Sequence, residues 1–215
     1  MAEAGRTEEM RTLGPREIEA RSMEIIAREL TVPLAEPERP VVMRVIHATA
    51  DFSFAETLHF TPGAVPLMRQ MLASGATVIT DTNMALAGIS KPALAKLGVS
   101  ARCFMAEEDV AREARERGQT RAFVSMEKAL ALPGKKLLVC GNAPTFLFPL
   151  LDMERQPEDV AVIGVPVGFV NVVEAKERLW HSGIPCIAAL GRRGGSNVAA
   201  AIVNALLYGI PGVRP

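Results

Sequence analysis

The chain has 215 residues, 49% of them hydrophobic, and its 24 basic side chains are matched by 24 acidic ones. That length and apolar share suit one globular domain with a sizeable core. Balanced charge leaves no electrostatic footprint for nucleic acid or for an anionic membrane surface, and no apolar run reaches the roughly 18 residues that a spanning helix needs.

In chain order, the polar, acidic opening MAEAGRTEEMRTLG does not read as a secretory signal. An arm over residues 1–13 is expected, with one α/β domain over 14–215. Gly14-Pro15 opens a helix running to Leu30, with proline in the first turn where it costs no hydrogen bond. Ile18, Met23, Ile25, Ile26 and Leu30 are its expected buried stripe. Arg21 and Ser22 interrupt that stripe, and a serine there is either a tolerated small residue or a ligand contact. A proline-rich loop, Thr31 to Pro40, leads to a second helix from Glu38 to about Thr49. Beyond Phe60, short apolar runs alternate with helical patterns. Strands are expected at 76–80, 101–105, 135–140, 160–165 and 185–190. Helices are expected at 61–74, 107–117, 120–132, 142–153, 171–181 and 196–208, with a short one after the polar turn 81–88. Apolar strands alternating with helices imply a mostly parallel sheet covered on both faces. Cys103, Cys140 and Cys186 lie far apart in apolar surroundings. They read as buried thiols of a reducing cytoplasm, not as a disulfide frame or a metal site.

The stretch VVMRVIHATADFSFAETLHF, Val41 to Phe60, concentrates the candidate chemistry. His47 stands in an apolar run with Arg44, at the last turn of the second helix, where the helix dipole favours a protonated imidazole. Two roles fit it: a core histidine bonded to a backbone carbonyl, or a proton donor facing a pocket.

In an open parallel sheet, ligands bind beyond the carboxyl ends of the strands. Four segments there are rich in glycine and small polar residues: Thr80-Asp81-Thr82-Asn83, Gly141-Asn142-Ala143-Pro144-Thr145, Pro166-Val167-Gly168-Phe169, and Gly191-Arg192-Arg193-Gly194-Gly195-Ser196. Singly, each is a tight turn. Together they predict a cleft whose free N–H groups favour anions. None is a dinucleotide fingerprint or a P-loop, which leaves nucleotide binding at 191–196 a weak reading. Arg121 opens a helix, where it serves either a surface ion pair or a ligand carboxylate. Ser196 reads as a helix cap. No CxxC, HExxH, metal-ligand spacing or nucleophile-base pair appears, so the residues alone give a small-molecule cleft and one candidate proton donor, without a reaction.

Six blocks taken in order resemble the precorrin-8X methylmutase family: Arg21-Ser22-Met23-x-Ile25-Ile26, Val45 to Phe52, Thr80 to Ile89, Gly141 to Thr145, Val167 to Val170, and Gly191 to Ser196. They span roughly Ile18 to Leu207. The TDTNMALAGI block is closer to the cobalt-precorrin-8 members. The resemblance implies an isomerase of cobalamin biosynthesis that moves a methyl group from carbon 11 to carbon 12 of a corrin precursor, without an external cofactor or a metal of its own. It also implies a homodimer with the site near the subunit interface. Hand-over of the product to other cobalamin-pathway enzymes is open to such a protein, and the sequence does not decide it. The family's essential histidine falls on His47. Substrate contacts are expected at Ser22, Arg44, Asp81, Met84, Ser90 and Arg121, with Phe52, Phe54 and Phe169 beside Met84 as apolar lining. A non-catalytic corrinoid carrier would use the same loops and is the alternative.

Overall fold

The computed structural model describes residues 13–213. The arm expected over 1–13 lies, but for Leu13, outside the described residues. Helices α1 (Pro15–Glu29), α2 (Arg39–Thr49) and the single turn α3 (Phe54–Thr57) precede β1 (Leu58–Phe60). There follow α4 (Ala64–Ala73), β2 (Thr77–Thr80), α5 (Asn83–Gly88), α6 (Lys91–Leu97), β3 (Ala101–Arg102), α7 (Glu108–Arg117), α8 (Arg121–Leu130) and β4 (Lys136–Cys140). A 3-10 turn (Pro144–Phe146), α9 (Phe148–Leu151), β5 (Val160–Gly164), α10 (Val172–Trp180), β6 (Cys186–Ala189) and α11 (Ser196–Tyr208) complete the chain.

The strands form one sheet in the order β1-β6-β5-β4-β2-β3. Every pairing is parallel except β1 with β6. Successive side chains of a strand point to opposite faces, and the core divides accordingly. Val78, Leu137, Val139, Ala161, Ile163 and Ile187 pack with α1, α2, α4, α5, α6 and α11. Ile79, Leu138, Cys140, Val160, Val162 and Cys186 pack with α7 to α10. Central strands buried on both faces therefore read as unbroken apolar runs.

The chain leaves β2 toward β3 on one side and returns through β4 on the other. Strand order thus reverses between β2 and β4, the place where open α/β sheets form a ligand crevice. Helix α11 covers one face there. Its alanines allow close approach: a Cβ on Gly88 would stand 2.8 Å from the Ala200 Cβ, and one on Gly141 would stand 2.8 Å from the Ser196 Cα.

Several elements differ from expectation. The helix expected over 142–153 is broken into the 3-10 turn and α9, because Pro144 and Pro149 cannot donate to a continuous ladder. β3 is two residues long and sits at the sheet edge, paired with β2. The antiparallel edge strand β1 was not expected; three residues, LHF, carry too little alternation to register. In α1, Ile26 and Leu30 are buried, but Ile18 and Ile25 are exposed.

Candidate active site

The four strand-end segments do converge, and they are tied together by hydrogen bonds. Asp81, directly after β2, is completely buried. Its carboxylate accepts from the N–H groups of Gly141 at 2.9 Å, Asn142 at 2.7 Å and Ala143 at 2.8 Å. Burial pushes this carboxyl above its ordinary pKa, and the three donors pull it back part of the way. Thr82 Oγ1 lies 2.8 Å from Ser196 Oγ and also caps α5 by accepting from the Ala85 N–H. The Gly195 N–H donates to Val165 O at 2.9 Å, and the Gly168 N–H to Arg192 O at 3.2 Å. Gly194 makes that contact possible: its φ is +157°, and a Cβ there would stand 2.1 Å from the Val165 carbonyl oxygen. Lys176, fully buried under the last loop, donates from Nζ to Gly191 O at 2.9 Å and Arg193 O at 2.6 Å.

This arrangement corrects one expectation. The anion that occupies the N–H groups of 141–143 is the protein's own Asp81. Asp81 fastens the crevice between β2 and β4 from within, its buried carboxylate turned to these three N–H groups.

His47 belongs to α2, whose last turn ends on Ala50 in the left-handed conformation, with φ 53°. Thr49 Oγ1 donates to Val45 O at 2.8 Å and accepts from the Asp51 N–H at 3.2 Å. Asp51 accepts from the Ser53 N–H at 3.0 Å, and the Arg193 guanidinium donates to both Asp51 and Ser53. Hydrogen bonding to Ser53, with Arg193 beside it, holds the Asp51 carboxyl below its ordinary pKa. The end of α2 is thereby fixed to the loop after β6, at the same sheet edge.

His47 itself is exposed. Its side chain opens into a groove of about 290 Å³ shared with Ser22, Ile25, Ile26, Glu29 and Phe52. The core-histidine role is excluded by that exposure. No hydrogen bond engages the ring among the described residues. The Ser22 hydroxyl donates to Ile18 O at 2.8 Å, which leaves its oxygen free to accept. Glu29 and Phe52 continue the groove into a neighbouring one of about 330 Å³. Ile25, expected in the core, is exposed because it walls this groove.

The other expected contacts separate. Arg121 is exposed at the start of α8, where Thr120 Oγ1 bonds Thr145 Oγ1 at 2.9 Å and so ties that helix to the 141–145 loop. It belongs to the layer on the other face of the sheet from His47 and does not line the groove. Met84 is 73% exposed beside the Thr82–Ser196 contact, and Phe169 is 82% exposed with Arg192 over its ring at 5.3 Å. Phe54, by contrast, is core. Ser90 is a cap: its Oγ accepts from the Ala93 N–H, and its own N–H donates to Asn204 Oδ1 at 2.8 Å. Asn204 stands eight residues beyond Ser196 on α11, about 12 Å along that helix at the helical rise. Arg44 points elsewhere as well, pairing with Glu19 at 2.8 Å and covering the Tyr208 ring at 5.3 Å. Sequence reasoning missed the clamp formed by Lys176; a lone lysine in an amphipathic helix gives no sign that its amine is buried.

The precorrin-8X methylmutase family model matches residues 17–209. The chain belongs to that family. It is 48% identical over 202 residues to the cobalt-precorrin-8 methylmutase of Salmonella typhimurium, covering 90% of this chain and 95% of the relative. It is 40% identical over 172 residues to the precorrin-8X methylmutase of Pseudomonas aeruginosa, covering 77% and 81%. The crystal structure of the Thermus thermophilus precorrin-8X methylmutase superposes with a TM-score of 0.81 at 36% identity, covering 88% of this chain and 95% of that one. The methylmutase fold described above is therefore shared with a solved member over nearly its whole length.

Two predictions follow from the edge. Asp81→Asn replaces one acceptor oxygen by a donor that faces an N–H group; urea unfolding is expected to show a loss of about 2–3 kcal/mol. Lys176 has a pKa pulled down to about 8 by burial. The folded chain then releases this proton before the unfolded chain does, so the unfolded state binds more protons and stability rises with pH across that window. Cys140 and Cys186, pushed upward by burial, act in the opposite direction in more alkaline solution. The stability difference between wild type and Lys176→Met isolates the lysine. It is expected to shift by roughly 1 kcal/mol in favour of wild type between pH 7 and pH 9.

Proposed function

We propose that this protein moves a methyl group from carbon 11 to carbon 12 of a precorrin-8 macrocycle, with His47 as the proton donor. The carrying observation is the His47 ring, open in a groove with Ser22 and engaged by nothing else among the described residues. The reaction is an isomerisation: the bond from carbon 11 to the methyl breaks, the bond from carbon 12 forms, and no atom is gained or lost. Such a shift needs no nucleophile. It needs the ring held in one geometry and its changing charge supported. A proton lent by His47 to a ring nitrogen and taken back afterwards supplies that support, an effect typically worth about 10²- to 10⁴-fold. Ser22 serves as an acceptor for a ring N–H. The carrier alternative finds no support, since the relatives described above are all named methylmutases.

A cobalt-containing substrate is favoured by the 48% identity to the Salmonella typhimurium cobalt-precorrin-8 enzyme and by the TDTNMALAGI block. A homodimer is favoured by size and exposure. Small-molecule sites enclose about 300–1,000 Å³, and a tetrapyrrole needs the upper part of that range, whereas the His47 groove holds about 290 Å³. Met84, Val167, Phe169 and Val170 leave a large apolar surface at the same edge. A second copy seated there would deepen the groove, and Arg121 would then reach a substrate carboxylate across the interface. A cytoplasmic location accords with three unpaired cysteines and with the finding that no described helix is long and apolar enough to cross a membrane.

Anaerobic incubation with cobalt-precorrin-8, followed by visible absorption, is expected to show conversion by wild type. His47→Ala is expected to lose at least about 100-fold in kcat, while Arg121→Ala raises KM more than it lowers kcat. Folded wild type that converts nothing refutes the function; full turnover by His47→Ala refutes the role of the imidazole.

A further inference from the structure

A second, larger cavity of about 590 Å³ opens between α1, α2, α4 and the end of α11, and it shares no lining residue with the His47 groove. Three arginines wall it: Arg39 and Arg44 from successive turns of α2, and Arg69 from α4. Among the described residues, the acid that meets this cluster is Glu19, which pairs with Arg44 at 2.8 Å. Arg44 is further held by the Tyr208 ring at 5.3 Å. Arg39 and Arg69 have no ion pair among the described residues. Among the described residues, three guanidinium groups against one carboxylate leave an excess of two positive charges at this cavity.

Arg69 is the telling member. Its Nε is buried and has no hydrogen-bond partner among the described residues. A buried donor left unmade is unfavourable, and a guanidinium keeps its charge however it is buried. The fold nevertheless gives this group a fitted seat. A Cβ on Gly209 would stand 2.3 Å from the guanidinium carbon, so only glycine at that position lets Arg69 lie where it does. Gly209 has φ −80°, a conformation open to any residue, so its lack of a side chain serves the arginine and not the backbone. The carbonyl end of α11 favours a cation nearby, but Arg69 makes no hydrogen bond to those carbonyls among the described residues.

We propose that this cavity is an oxyanion-binding site, separate from the His47 groove, that takes a small molecule carrying carboxylates or a phosphate. Arginine forks match either group with paired N–H donors. The volume suits a small ligand, and the apolar parts of Met43 and Tyr208 strengthen each charge interaction by excluding water. The site is argued from these residues alone and stands whether or not the methyl transfer is correct.

Isothermal titration of the full chain with citrate, and separately with inorganic phosphate, at ionic strength matched with sodium chloride, tests it. At least one probe is expected to bind, and Arg39→Gln and Gly209→Ala are each expected to weaken it about tenfold, the equivalent of 1.4 kcal/mol. Gly209→Ala acts by displacing the guanidinium of Arg69, the far end of a mobile side chain, so the variant folds; circular dichroism of both variants checks this. Citrate alone assigns a carboxylate ligand, phosphate alone a phosphate, and both a general oxyanion site. Binding of neither probe beyond chloride, or equal binding by the folded variants, overturns the proposal.

Discussion

One buried carboxylate organises the working edge of this protein. Asp81 leaves the end of β2 and receives three consecutive N–H groups from the loop after β4. Strand order reverses at this point, so without a filler the sheet would present an open crevice. A buried charge is tolerated only when its hydrogen bonds are made, and here each bond also fixes a strand-end loop. Ser196 and Thr82 join the loop after β6 to the same unit, and Lys176 holds that loop from below through two carbonyls. The edge is thus a braced platform of four strand-end loops.

The platform matters to His47 through one connection. Arg193 of the braced loop holds Asp51, just past the end of α2. A helix whose final turn is pinned to a rigid edge presents its last side chains in a fixed direction. His47 gains a defined position without spending its ring nitrogens on the scaffold. Ser22 reaches the same groove from α1, so the two polar groups there are set by the packing of α1 on α2. In the proposed reaction, pre-organisation of this kind places the imidazole before the substrate arrives, which is how positioning contributes to rate.

Much of this was legible in the sequence. Central strands announce themselves as apolar runs, as in KLLVC of β4, because burial on both faces removes the alternation. α11 begins and ends where its small and apolar pattern does. Convergence of the glycine-rich loops followed from the parallel sheet, and His47 and Ser22 do share one groove. What failed, failed for tertiary reasons. Asp81 reads as a free acid in a polar turn because its three partners lie about 60 residues away in sequence. Arg44 and Ser90 are placed by α11 contacts that leave no local mark. The break in the 142–153 helix was signalled by Pro144 and Pro149, and the apolar pattern hid it. The exposed Ile25 shows the same limit: periodicity assigns a residue to an inward face but cannot tell a core from the wall of a groove.

Native-state hydrogen exchange at the amides of Gly141, Asn142 and Ala143 tests the bracing directly. Asn142 has an exposed side chain and lies in a loop, where amides ordinarily exchange with little protection. The account predicts that all three amides open only with the β4 strand amides, at a free energy close to that of Leu138. Exchange of these three at the rate of an unprotected loop, while Leu138 stays protected, would contradict it.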